Sequence, residues 1–360
     1  MTKIGIIGAG QLGRMLALAG YPLGLRFVFL DSSSDAPGAQ VGHIISGAFD
    51  DVVKLAELAG QVDVVTFDVE NVPVDAVEAI AKNKPFFPPA AALGASQDRL
   101  TEKNLFRKLK IPTPEFAAVD SLEDLQRAVG KIGLPGVLKT RRLGYDGRGQ
   151  YRIRTIADIE SAWQQIGTVP LIYEAFVNFN REISIIGARS TRGETCYYPI
   201  AANTHVDGIL RHSVAPYRNA RLQKQAETYL KRLFKHFDYA GILTIEFFVK
   251  NGRLIANEMA PRVHNSGHWT IEGTATSQFE NHIRAILGLP LGDTRALAHT
   301  AMVNFIGTMP APAEVLAIPG VHYHSYGKEP RPNRKLGHCT ITASSAAARD
   351  RALKRLVKNL

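Results

Sequence analysis

Cysteine is nearly missing from this 360-residue sequence, which has only Cys196 and Cys339. Two isolated thiols form neither a disulfide framework nor a zinc-type spacing, so a reducing cytoplasm is the expected location. Long apolar runs are missing too. No stretch approaches the roughly 18 unbroken apolar residues of a membrane span, so no membrane role is expected. The opening "MTKIGIIGAG" interrupts its apolar residues with glycines and reads as a first strand rather than a secretory signal. There is no internal repeat and no low-complexity segment. Acidic residues are in deficit, 33 Asp and Glu against 43 Lys and Arg, giving a net charge of +10. That excess favours anionic partners such as nucleotides and phosphates. It does not favour nucleic acid, because the cations are dispersed and no recognised binding motif accompanies them. Two basic runs stand out, "KEPRPNRK" (328–335) and "RDRALKRLVK" (349–358). In the second, Leu353, Leu356, Val357 and Leu360 share one helical face, so its cations read as a solvated surface.

The pattern of elements points to a multidomain α/β and α+β protein. Residues 1–90 alternate apolar strands ("KIGIIG", "LRFVFLD", "VDVVTFDVE") with helices, as in a Rossmann-like parallel sheet covered on both faces. Pro85, Pro88 and Pro89 interrupt regular structure at its exit. A helix over 96–110, capped by Ser96 or Asp98, opens a small α+β unit. From 180 onward long antiparallel strands take over, including "TCYYPIAANTHVDGI" and "ILTIEFFVKNGRLIANEM". The expected domains are 1–95, 96–175, 176–298 and a small β-rich C-terminal region, 299–360.

Two fingerprints carry chemistry. "GAGQLG" sets Gly8, Gly10 and Gly13 in a G-x-G-x-x-G turn after a strand, with Asp31 ending the next strand. Alone, this fits a dinucleotide, another phosphorylated small molecule on the same amides, or close strand–helix packing. The hairpin 242–260 is more specific. Glu246 and Glu258 are acids inside apolar strands and need partners, for which a shared Mg²⁺ completed by phosphate oxygens is one solution. A two-residue turn at Asn251-Gly252 would pair Glu246 with Asn257 and turn Glu258 away. The metal reading therefore predicts an odd-numbered loop with Gly252 as a bulge. The alternative is a pair of surface acids on a half-exposed sheet. Arg262, His264 and Asn265 follow directly, a density of polar groups suited to an anion pocket. Finally, Lys139 ends a strand before the glycine-rich "TRRLGYDGRGQ". A lysine, a closing loop and an acidic pair together make a polyphosphate site that is not a Walker A loop.

These segments, "GAGQLGRM" (8–15), "VTFDVENVP" (65–73), "DR…EK" (98–103), "LKTRRLGYDGRGQ" (138–150), "THVDGIL" (204–210), "NEMAPRVHNSGHWT" (257–270) and "KEPRPNRKLGH" (328–338), resemble the ATP-grasp superfamily over nearly the whole chain. They are most similar to its branch that carboxylates 5-aminoimidazole ribonucleotide in purine synthesis. The resemblance implies that Arg99 and Lys139 contact ATP phosphates under a loop of Gly144, Tyr145, Asp146, Gly147, Arg148, Gly149 and Gln150. Glu174, Ala175, Phe176 and Val177 would lie near the adenine and Glu182 would hold the ribose, with His205 also lining this site. Glu246 and Glu258, with Asn257 alongside, would hold Mg²⁺, for which Mn²⁺ is a substitute.

The second substrate would use Gly10, Gln11, Leu12, Tyr145, Arg148 and His264, with its phosphate on Lys328, Arg334 and Lys335. Arg262 would anchor bicarbonate, and His264, Asn265 and Arg148 would complete the catalytic set. The resemblance also implies a homodimer and hand-over of the product to a separate N5-carboxyaminoimidazole ribonucleotide mutase. Two positions depart from the family pattern: Leu143 stands where a second glycine is usual, and Asp68 where a glutamate is. The rival readings are another ATP-grasp carboxylase or ligase and, more remotely, an NAD-dependent oxidoreductase.

Overall fold

The computed structural model of the chain describes residues 1–144 and 149–358. Expectations placed on Tyr145, Asp146, Gly147 and Arg148 lie outside the described residues. Three sheets organise the molecule. The first contains β1 (Lys3–Ile7), β2 (Arg26–Asp31), β3 (His43–Ser46) and β4 (Val64–Phe67), all parallel in the order β3-β2-β1-β4. Its strands are apolar on both faces because helices cover both. Ile4 and Ile6 pack with Leu12 and Leu16 of helix Gln11–Gly20, while Ile7 and Leu30 pack with Leu55 and Leu58 of helix Val52–Gln61. The short strand β3 was not apparent in the sequence. The proline-rich exit also holds a helix, Ala90–Ser96, entered directly after Pro89.

The second sheet is antiparallel: β5 (Phe116–Val119), β6 (Gly136–Thr140), β7 (Gln150–Ile153) and β8 (Leu171–Ala175), in the order β5-β8-β6-β7. Side chains alternate across a strand. Leu138 and Tyr173 therefore enter a core with Leu125, Val129 and Ile159 from two covering helices. Their neighbours Lys139 and Glu174 point to the opposite face, toward the large sheet.

That third sheet comprises β9 (Arg181–Arg189), β10 (Thr195–Tyr197), β11 (Ala201–Val206), β12 (Ile209–Ala215), β13 (Gly241–Lys250), β14 (Arg253–Ala260), β15 (His299–Ile306), β16 (Val321–Ser325) and β17 (Lys335–Ala343). The order is β14-β13-β9-β11-β12-β15-β17-β16, with β10 on β9. Helix Ala220–Phe237 packs Leu222, Leu230 and Leu233 on Ile183, Ile185, Leu243 and Ile245. The single strand expected across 195–209 is instead two, separated at residues 198–200. The C-terminal strands join this sheet. β15 pairs with β12, so the tail extends the central sheet and its backbone hydrogen bonds are shared with it. Among the described residues no helix is long and apolar enough to cross a membrane.

Candidate active site

The metal hairpin turns differently from expectation. Lys250 pairs with Arg253, so Asn251-Gly252 is a two-residue turn, with φ of 52° and 69° at its two positions. These left-handed values are what an Asn-Gly hairpin turn requires. The predicted odd-numbered loop is therefore wrong, yet the acids still meet. The register shifts between Glu246 and Phe247: Phe247 pairs with Ala256, and Glu246 pairs directly with Glu258. Asn257 is the extra residue of a β-bulge, and one extra residue reverses which face every later side chain takes.

Helix Arg99–Lys108 supplies the next groups. Asp98 caps it by accepting from the amides of Leu100 and Thr101. Arg99, Glu102 and Lys103 then lie on one face by i, i+3, i+4 spacing. Arg99 sits 3.4 Å from Glu258 and donates to the Gly144 carbonyl at 2.9 Å. Arg141 closes on Asp98 at 2.8 Å. Lys139 donates to Glu174 at 3.0 Å. Burial opposes ionisation of Glu174, but Lys103 and Lys139 overcome it and hold that carboxyl down at about 2.

Glu246 behaves oppositely. Burial, and repulsion from Glu258, push it up to about 7 against the pull of His205. Glu258 is held below its ordinary value because Arg99, Lys139 and Lys103 outweigh burial. A buried carboxylate with a raised proton affinity facing an ionised one is a pair short of a cation, and all its donors are hard oxygens, which fits Mg²⁺ or Mn²⁺. Among the described residues no group of three or more His, Cys, Asp and Glu could hold a metal ion. The remaining ligands of a bound ion would have to come from Asn257, water or phosphate oxygens.

One cavity of about 1,820 Å³ gathers these groups. It is lined by Arg99, Lys139, Gly144 and Gln150 together with Glu174, Ala175, Phe176 and Val177, which leave β8. Glu182, His205, Glu246, Asn257 and Glu258 line the large-sheet side. His205 bonds Glu182 at 2.9 Å, and despite burial that bond and the charge of Glu246 hold its imidazole above the ordinary value. At the other end stand Gly10, Gln11, Leu12, Arg262, His264, Asn265, Lys328, Arg334 and Lys335. Lys328 donates to Gln11, joining residues 317 positions apart in sequence. Of the described site residues expected from the sequence, Gly149 alone does not line the cavity; its carbonyl instead accepts from the Thr140 amide at 2.8 Å.

Several details were not legible in the sequence. Asn265 exchanges hydrogen bonds with Asn304 at 2.8 and 3.0 Å, so its amide braces the wall. Burial and the nearby Arg262 and Lys335 keep His264 neutral, far below the ordinary histidine value. Glu70 lies 3.2 Å from Arg262, within ion-pair distance but off hydrogen-bond alignment, so both atoms are buried without a hydrogen-bond partner among the described residues. The glycine turn also holds acids in place of a phosphate. Asp68 accepts from the Gly13 amide at 2.9 Å and Asp31 from the Ala9 amide at 2.8 Å. A Cβ on Gly8, whose φ is +94°, would stand 1.8 Å from Asp68. A carboxylate already fills the cradle that a dinucleotide pyrophosphate would need, which removes the NAD reading.

Three family models match successive parts of the chain: a ribonucleotide synthetase preATP-grasp domain at 1–97, an ATP-grasp domain at 104–279, and a phosphoribosylaminoimidazole carboxylase C-terminal domain at 300–352. The fold and the cavity between the second and third sheets are those of an ATP-grasp enzyme. The chain is 50% identical over 345 residues, 96% of each chain, to the N5-carboxyaminoimidazole ribonucleotide synthase of Pseudomonas aeruginosa. It superposes with a TM-score of 0.95 on the N5-carboxyaminoimidazole ribonucleotide synthetase of Thermus thermophilus, at 50% identity over 99% of this chain and 98% of that one. The synthase of Aspergillus clavatus in complex with ADP and 5-aminoimidazole ribonucleotide matches at TM-score 0.92 and 31% identity, over 99% and 98% of the two chains. The chain belongs to the N5-carboxyaminoimidazole ribonucleotide synthase family.

Proposed function

We infer that this protein carboxylates the exocyclic amine of 5-aminoimidazole ribonucleotide with bicarbonate, consuming ATP and releasing ADP and phosphate. The observation that carries the reading is the register of the metal hairpin. Glu246 and Glu258 face each other beside Arg99 and Lys139, in one cavity whose far end holds the Lys328–Gln11 pair. Bicarbonate oxygen attacks the γ-phosphorus, the bond to ADP breaks, and carboxyphosphate forms. It collapses to CO₂ and phosphate, and the amine lone pair captures CO₂ while the nitrogen gives up a proton.

Arg99 and Lys139 neutralise the phosphates, and Arg262 holds bicarbonate and the transferring oxygens, so most of the catalysis is positioning and electrostatics. Glu246 and Glu258 would hold the divalent ion, which when bound would supply charge stabilisation to the phosphate oxygens. His264, held neutral beside Arg262, accepts from the Ser266 amide at Nδ1, so its Nε2–H donates to the substrate, and the phosphate released beside the amine takes the departing proton. Adenine lies against residues 174–177 and ribose against Glu182 and His205. Lys328, Arg334 and Lys335 bind the substrate phosphate, with Gly10 to Leu12 beneath the ring. The division at 95, 175 and 298, a homodimer, a cytoplasmic location and transfer of product to a separate mutase complete the reading.

Phosphate release is the test. Release from ATP should be fast only with both bicarbonate and the ribonucleotide present, and Glu258→Gln should slow it about 100-fold or more. Equal release without the ribonucleotide overturns the substrate assignment. Near-normal turnover of the variant at saturating Mg²⁺ overturns the metal role.

A further inference from the structure

Lys103 has no part in the mechanism above, and it does not line the cavity. Its side chain is 1% exposed, an unusual place for an ammonium. Two backbone carbonyls and a carboxylate lie around it. It donates to the Asn257 carbonyl at the β-bulge and, at 3.4 Å, to the Ala256 carbonyl. It lies 3.7 Å from the Glu174 carboxylate, whose side chain is 3% exposed. The same oxygen of Glu174 accepts from Lys139 at 3.0 Å. One carboxylate therefore sits between two ammonium groups, only one of which faces the ligand cavity.

Consider the site without Lys103. Glu174 and Lys139 would form a closed neutral pair, and the lysine aimed at the phosphates would have spent its charge. With Lys103 behind it, the trio keeps a single net positive charge. Two other acids lie nearby: Glu102, whose carboxyl burial pushes up to about 8 while it accepts from the Met259 amide, adds no charge there, and the ionised Glu258 is offset by Arg99 at 3.4 Å.

We propose that Lys103 is a positioning residue of the nucleotide site: it offsets Glu174 so that the Lys139 ammonium stays available to the ATP phosphates, while bracing the bulge that turns Glu258 toward Glu246. The assignment rests on the ATP reading above and adds a residue that acts only through others. It also links the second sheet to the metal hairpin, since Glu174 and Lys139 belong to β8 and β6 whereas the braced carbonyls belong to β14.

The test is a double-mutant cycle read as ATP and ADP dissociation constants by titration calorimetry, with KM values for ATP and 5-aminoimidazole ribonucleotide. Lys103→Met should weaken ATP binding about twentyfold in the native background and leave the ribonucleotide KM within about twofold. In the Glu174→Gln background, where no carboxylate needs offsetting, the same change should cost no more than about threefold. Loss of the backbone brace is common to both backgrounds, so the difference between them reads the charge effect alone. Equal losses in the two backgrounds overturn the proposal, as does a matched rise in both KM values. If Lys103→Met does not fold, the comparison of Glu174→Gln with the double variant decides, and a loss beyond threefold there overturns it. A native protein that binds no ATP refutes the underlying function as well, whereas native ATP binding without the coupling refutes Lys103 alone.

Discussion

Leu143 sits at φ +60° with its side chain 83% exposed, just before the loop that follows Lys139. A left-handed backbone costs a non-glycine residue about 1 kcal/mol or more, which gives a physical reason to expect glycine at this position. At that exposure, packing does little to offset the strain. Leu143→Gly should therefore raise stability by about 1 kcal/mol, read as a higher Tm, where an unstrained exposed position would lose stability on the same change. The second departure, Asp68, has a clear role at the same scale. Burial pushes its carboxyl up to about 6 while it accepts the Gly13 amide, so it serves as an internal cap of the first helix. The glycine spacing was visible in the sequence, but the acid that fills the turn lies 55 residues from Gly13 and could be found only in three dimensions.

At the scale of elements, the hairpin β13–β14 separates what turn chemistry dictates from what function needs. Asn-Gly favours a two-residue turn, and the structure has one; the odd residue needed to align the acids is supplied by the bulge at Asn257. Sequence pattern recognises turns far better than bulges, because a bulge carries no special residue type. Gly252→Ala places a Cβ on a residue with φ of +69° and should cost about 1 kcal/mol in urea unfolding. Since register beyond the turn is held by β9 on the other side of β13, kcat and the KM for ATP should stay unchanged. A large loss of activity in that variant would show that the turn, and not the bulge, aligns Glu246 with Glu258. The helix Arg99–Lys108 makes the complementary point. Its motif was readable from "DR…EK", but the sequence left the cap between Ser96, which ends the preceding helix, and Asp98, and the roles of Glu102 and Lys103 depend on facing β14.

Across the whole molecule, His282 ties two sheets together. Its Nδ1 accepts from the Ile242 amide at 3.2 Å, which leaves the proton on Nε2 to donate to Thr66 Oγ1 at 2.9 Å. Ile242 belongs to β13 and Thr66 to β4, so the neutral ring bridges the third sheet and the first. Burial pulls this histidine down to about 3, against about 6.5 in an unfolded chain. In the window between those values the unfolded state binds the extra proton. The stabilisation is thus complete above pH 6.5 and is lost as the pH falls toward 3. The neutral buried rings of His264, His268 and His338 act in the same direction. Unfolding free energy should therefore decline with acid, and replacing His282 by Gln should flatten the slope by up to about 1.4 kcal/mol per pH unit. An unchanged slope in the variant, measured by urea titration at several pH values, would remove His282 from this account.

Local periodicity and residue chemistry were enough to set the parallel first sheet, the antiparallel character of residues 180–260, the acidic pair and the cationic Lys139. These depend on neighbours in sequence, through alternation, capping and turn preference. Tertiary structure alone decided which long-range groups meet. It brought Lys328 to Gln11, put Asp68 under the glycine turn, joined β15 to β12, and set Lys103 behind Glu174. Such contacts are determined by the order of strands in a sheet and the stacking of one sheet on another, and they are made between residues whose separation in sequence leaves no local trace.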